Sequence, residues 1–159
     1  MHTQEQIEAA VDHVFKALSS NGQEPVGDAF TEDGIYEGAY AASPDTTDED
    51  NIMVGHEVIT KFFVECLPQI LAPFSQWADT IYPVTDGETA IVEGRSDGIA
   101  VHDGSVYRNK YIWVMKFRDG KIALMREYFH VPKWHHAIGP EWQQIVERAF
   151  GDDLTMSGN

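Results

Sequence analysis

The apolar residues Ile7, Ala10, Val11, Val14 and Leu18 recur at helical spacing near the start of the chain. Ahead of them, Thr3-Gln4-Glu5-Gln6 has the form of a capping box, and Asn21-Gly22 supplies a stop, so the pattern predicts an N-terminal helix. Residues 25–31 read as a short second helix closed by Glu32-Asp33-Gly34, and residues 35–40 as a short strand. The small, acidic stretch 41–51, with Pro44, reads as a mobile loop. After Gly55 a further helix follows, with Val58, Ile59, Phe62, Phe63, Cys66, Leu67, Ile70 and Leu71 on a wide apolar face that Pro68 should kink or end.

From residue 73 to 132 the pattern changes to sheet. Asp-Gly pairs at 86–87, 103–104 and 119–120 are hairpin signals, because both residues tolerate positive φ. Their spacing asks for strands of roughly a dozen residues, longer than the usual 5–6, and strands that long twist until one face is concave. A last helix is predicted from Pro140 to about residue 150, before a polar tail. Helices on one side of a bent four-strand meander give an α+β cone whose open end can hold a small organic molecule.

Composition narrows this picture. A chain of 159 residues with 43% hydrophobic content suits one domain with a sizeable core. Cys66 is the single cysteine, so no intrachain disulfide can form. A free thiol without a signal-like N-terminus leads to the expectation of a cytoplasmic protein. No apolar run has the length of a membrane span. A net charge of −15, with no basic stripe, argues against nucleic-acid binding. The acidity is partly local, in Asp45, Asp48, Glu49 and Asp50, and again in Asp152 and Asp153; it reads as a solubility feature.

Candidate chemistry lies in the sheet. Between residues 89 and 102 the even positions are small (Ala90, Gly94, Ser96, Gly98, Ala100), whereas Glu93, Arg95 and Asp97 form a row flanked by Ile91 and Ile99. If that row faces the cone, Arg95 must bridge its neighbours, since an unpaired buried charge is prohibitive. Glu127 is a lone carboxylate on a face shared with Ala123, Met125 and Phe129, opposite a wall of Asn109, Tyr111, Trp113 and Met115. A carboxyl in apolar surroundings has a raised pKa that suits acid–base work near neutrality. The even positions Ile122, Leu124 and Tyr128 are apolar too, and a strand apolar on both faces suggests a homodimer through the convex side of the sheet.

Three segments carry a family resemblance: Asp28 to Glu37, Gly55-His56-Glu57-Val58-Ile59, and Gly120-Lys121-Ile122 leading to Arg126-Glu127-Tyr128-Phe129. On these the chain resembles the nuclear transport factor 2-like superfamily, within it the SnoaL-like group of polyketide cyclases, ketosteroid isomerases and limonene epoxide hydrolases. The resemblance implies one SnoaL-like domain over residues 1–159, a cone-shaped barrel with a curved four- to six-stranded mixed or antiparallel sheet and three to four helices. It further implies a homodimer and cofactor-free acid–base catalysis on a small apolar substrate. By similarity to limonene epoxide hydrolase, Asp97 would protonate an opening oxygen, Glu127 would take a proton, Arg95 would hold the two in register and Tyr36 would position water. Gly38 departs from that pattern, standing where an asparagine is expected, and Glu127 is one methylene longer than the expected aspartate. The ketosteroid isomerase roles fall on Gly38 and Val14, which cannot fill them; cyclase and dehydratase chemistries stay open.

The substrate-binding set on this reading is Asn109, Tyr111, Trp113, Met115, Met125, Phe129, Ile99, Phe63 and His56. The histidines His130, His135 and His136 match no zinc signature, so neither metal nor cofactor is expected. Asp79, between Trp77 and Ile81, is a reserve carboxylate, and Trp134 and Trp142 are expected to close the C-terminal segment over the sheet or onto a partner. A non-catalytic ligand-binding or assembly module of the same fold is the alternative.

Overall fold

The computed structural model describes residues 1–42, 44 and 50–151. Helix α1 (Gln4–Leu18) begins at the capping box, with the Thr3 hydroxyl accepting from the Gln6 amide and the Gln6 side chain accepting from the Thr3 amide. Its apolar stripe, Ile7, Val11, Val14, Phe15 and Leu18, is buried, and that packing rather than propensity holds a helix of this length in place. A single 3₁₀ turn at Val26–Ala29 leads into strand β1 (Phe30–Gly38). Strand β2 (Asn51–Val54) returns antiparallel to it.

Helix α2 (His56–Lys61) runs into a π-type turn (Phe62–Cys66) and then α3 (Leu67–Ile70). The widened turn sits just before Pro68, whose ring cannot follow a regular α-helical turn. The long strands follow: β3 (Leu71–Pro83), β4 (Thr89–Ala100), β5 (Val106–Arg118) and β6 (Lys121–Phe129). Helices α4 (Val131–Ile138) and α5 (Trp142–Phe150) complete the described chain. Among the described residues no helix is long and apolar enough to cross a membrane.

The six strands form one mixed sheet in the order β2-β1-β6-β5-β4-β3. All neighbours are antiparallel except β1 and β6, which run parallel because the chain between them crosses over through the α2–α3 segment and the meander. The Asp-Gly hairpins form as expected: Gly87, Gly104 and Gly120 all have positive φ, and so does Asp119. Helix α1 packs on the concave face, where Phe15 meets Trp113 with ring centroids 4.7 Å apart.

Several expectations require correction. The second helix is only the 3₁₀ turn, and β1 begins at Phe30, five residues earlier than expected, with a break in register between Phe30 and Ile35. Strand β2 and helix α4 were not expected at all; both are short, with too few positions to display a period. The doubly apolar look of β6 has a local cause. A register shift opposite Lys116 and Phe117 lets Ile122 and Met125 both point inward, although they have opposite parity. The acidic loop falls mostly outside the described residues, as do Asp152 and Asp153.

Candidate active site

The concave face of the sheet, the π-type turn and α4 enclose a pocket with about 490 Å³ of empty space including its mouth. It is narrow. The walls are mainly aromatic, with Phe62, Phe63, Phe74, Phe129 and Trp134 around the polar groups of Tyr36, Asn51, Gln76, Tyr107, Tyr111 and Glu127. Among the described residues lining it, Glu127 is the only carboxyl, and none is Lys, Arg or His.

Glu127 comes from the inward face of β6, directly across from Trp113 on β5 and Gly38 on β1. Its side chain accepts a hydrogen bond from Trp113 Nε1 at 3.1 Å, and the Tyr36 hydroxyl bonds to it as well. Burial raises its pKa from 4.5 to about 7, against the lowering effect of the Tyr36 and Trp113 donors. The loss of hydration outweighs two hydrogen bonds because those bonds replace only part of what water gives a carboxylate. A carboxyl poised there changes charge near neutral pH.

A second polar feature faces the same space. The Tyr107 and Tyr111 hydroxyls lie 2.8 Å apart, and Ser96 Oγ is 3.0 Å from Tyr111. Asn109 sets the direction of this chain. Its Oδ1 accepts from the amides of Lys110 and His130, so its Nδ2 must be the donor to the His130 carbonyl and to the Tyr107 oxygen. Tyr107 can then donate to Tyr111, which leaves the Tyr111 proton for Ser96 or for a ligand oxygen. Burial pushes both phenols above their ordinary pKa, so they stay neutral donors.

The structure separates the expected site residues. Tyr36, Phe63, Tyr111, Glu127 and Phe129 line the pocket. Asn109, Trp113, Met115 and Met125 are buried on the same face, as support beneath it. Arg95 and Asp97 do not join them: with Glu93 they lie on the outer face of β4, and Ile99 shares that parity. Arg95 makes a bidentate ion pair with Asp79 at 2.7 and 2.8 Å, and Asp97 pairs with Arg108 at 3.3 Å. The two glycines of β4 face inward where the backbone of β3 and neighbouring rings leave no room for a Cβ. One on Gly94 would stand 2.0 Å from the Trp77 carbonyl oxygen and 2.8 Å from Trp113 Cζ3, and one on Gly98 would stand 3.0 Å from the Pro73 carbonyl oxygen and 3.1 Å from Phe74 Cδ2. His56 lies at the start of α2, where its carbonyl abuts Gly27, and is not among the pocket-lining residues.

Tyr107 was legible, since it shares parity with Asn109 and Tyr111, yet sequence reasoning passed over it. Asn51 and Gln76 gave no comparable signal, and Asn51 sits on the unexpected strand β2. Trp134, expected to close the C-terminal segment over the sheet or onto a partner, lies on α4 with its ring centroid 6.5 Å from that of Tyr107 on β5.

Comparison with known proteins agrees with this architecture. A family model for the SnoaL-like domain matches residues 11–125. The Bacillus subtilis (strain 168) protein YesE is 32% identical over 85 residues, 54% of this chain, and the match spans 58% of that relative's length. An NTF2-like protein from Burkholderia pseudomallei superposes with a TM-score of 0.69 at 19% identity, covering 86% of this chain and 98% of its own. A phenazine biosynthesis-related protein from Pseudomonas aeruginosa gives 0.65 at 20% identity, with 85% and 90% covered. A protein with a ketosteroid isomerase-like fold from Catenulispora acidiphila, in complex with trimethylamine, gives 0.63 at 16% identity, with 89% and 97% covered. At these identities the structural likenesses establish the fold alone.

Proposed function

Because the chain belongs to the SnoaL-like domain family, we propose that it is a cofactor-free enzyme moving a proton on a small, neutral, largely apolar ring compound. The observation that carries this reading is the buried Glu127 with its pKa near 7, in a pocket that also presents the Tyr111 hydroxyl as a donor. In the proposed step the Glu127 carboxylate removes a proton from a carbon next to a carbonyl. The C–H electron pair shifts to form an enolate, whose oxygen accepts a hydrogen bond from Tyr111. Returning the proton at another carbon gives isomerisation; attack of the enolate carbon on a second carbonyl gives cyclisation. With no lysine, arginine or histidine among the described lining residues, an anionic substrate would find no counter-charge from them. Epoxide opening by an Arg95–Asp97 pair loses its support, since both side chains point away from Glu127.

The test is turnover of a panel of enolisable cyclic ketones and polyketide-like aromatics across pH. On this reading kcat/KM rises with pH and levels off above about 7, as Glu127 becomes a carboxylate. Tyr111→Phe should lower kcat by roughly 10²-fold, the scale of losing one oxyanion donor, while Asp97→Asn stays within about twofold of wild type, having only a surface ion pair to lose. Binding of panel members without turnover would leave a non-catalytic module instead.

The homodimer belongs to the same proposal. Trp77, Tyr82, Ile112 and Tyr128 are exposed on the outer face of the sheet. Between them lie the pairs Arg95–Asp79 and Arg108–Asp97, opposite charges that a symmetry-related copy can meet in turn. Sedimentation equilibrium should give twice the 17.9 kDa chain mass, and Ile112→Lys should return it to one. A monomeric wild type would contradict this.

A further inference from the structure

Asn51 carries an observation that the proton-transfer reading does not use. It is 8% exposed, it lines the pocket, and its Oδ1 is buried with no hydrogen-bond partner among the described residues. A buried acceptor left unpaired is unfavourable and uncommon enough to require a reason.

The sheet register supplies one. Asn51 on β2 lies opposite Gly38 on β1, and Gly38 lies opposite Glu127 on β6, so the three form one row across the concave face. The middle position has no side chain. A Cβ built on Gly38 would stand 3.6 Å from Glu127 Oε1, 3.8 Å from Asn51 Cβ and 3.3 Å from Ala41 Cβ. Gly38 therefore leaves a notch about one heavy atom wide, bounded by Asn51 Cβ on one side and the Glu127 carboxyl on the other. Asn51 Cβ borders the notch at 3.8 Å, and the terminal torsion of asparagine is soft, so the amide can turn its oxygen toward a ligand seated there.

We infer that Asn51 is a ligand-binding residue whose amide oxygen accepts a hydrogen bond from a hydroxyl group on the ligand, seated in the Gly38 notch beside Glu127. The substrate class then narrows from apolar rings to hydroxylated rings, with the hydroxyl close to the carbon at which Glu127 acts. Only that last clause rests on the proton-transfer reading.

The experiment measures binding, by quenching of tryptophan fluorescence, of 2-naphthol and of its nearly isosteric counterpart without a donor, 2-fluoronaphthalene. Wild type should prefer 2-naphthol by about tenfold or more, because a pocket built around a hydroxyl is left with an unpaired acceptor by the analogue. Asn51→Leu should cut the preference to about twofold while 2-fluoronaphthalene binds as before. Gly38→Ala fills the notch from a position whose contacts are near van der Waals distance, so it should fold and lose the preference in the same way. It carries the test if Asn51→Leu does not fold. Glu127→Gln should keep most of the preference. An equal affinity for the two probes in wild type would overturn the inference. So would a preference that survives in Asn51→Leu and disappears in Glu127→Gln, which would place the hydroxyl on the carboxylate alone. Because the readout is binding, a protein that turns over no ketone fails the proton-transfer reading without touching this one.

Discussion

Glu127→Gln should remove about 10³-fold or more of turnover on any substrate found and, above neutral pH, make the protein more stable than wild type. The first effect follows from deleting the only lining group, among the described residues, that can take a proton near pH 7, within the range for general acid–base catalysis. The second follows from linkage. Glu127 has a folded pKa raised to about 7 from 4.5, so between those values the folded state holds a proton that the unfolded state has released. Stability therefore falls as pH rises through this window and is flat above it. The neutral carboxyl is favoured by about 3 kcal/mol, and that is the penalty wild type carries at pH 8.

Glutamine has no proton to lose and can still accept from Trp113, so it carries no such penalty. Thermal unfolding should show the variant roughly 6–12 °C above wild type at pH 8, with the gap closing as pH drops toward 4.5. A gap independent of pH would mean that folding does not raise the pKa of Glu127.

Gly94→Ala should be among the most damaging single-methyl additions in the chain. Its Cβ would stand 2.0 Å from the Trp77 carbonyl oxygen and 2.8 Å from Trp113 Cζ3. The first neighbour is backbone of the paired strand, next to the irregularity between Ala78 and Thr80, and it cannot move without opening the β3–β4 ladder. Overpacking of this kind costs about 3 kcal/mol, a loss of roughly 6–12 °C in Tm. Displacing Trp113 also loosens the donor that holds Glu127, so turnover should fall further than stability alone accounts for. Gly104→Ala is the control. Nothing lies within 4 Å of its Cβ, and only its φ of +73° opposes the change, so a loss of about 1 kcal/mol is expected. Equal effects at the two positions would mean that Gly94 is not packed against the Trp77 backbone and Trp113 as described.

The sequence made the frame legible because long elements repeat their pattern. The α1 stripe, the three Asp-Gly turns and the strand lengths between them all read correctly, and Glu127 stood out as one carboxylate among apolar neighbours. Inside and outside were misread on β4, where the large aliphatics Ile91 and Ile99 drew Glu93, Arg95 and Asp97 inward. Small residues there mark the crowded side: Gly94 and Gly98 make room for the rings of Trp113 and Phe74, which come from other strands. A pattern read along one strand cannot register a ring contributed by its neighbour. Asn51 was hidden for a different reason. It belongs to a four-residue strand whose place in the row with Gly38 and Glu127 depends on pairing with β1 and, through it, β6.

Glu127, a buried carboxyl that titrates near neutrality, is the centre of the site. Carboxyl ¹³C NMR of glutamate-labelled protein, with Glu127→Gln to assign the resonance, measures that titration directly. A midpoint close to 7 is the expected result. A midpoint near 4.5, the value of a solvated glutamate, would contradict the site as described.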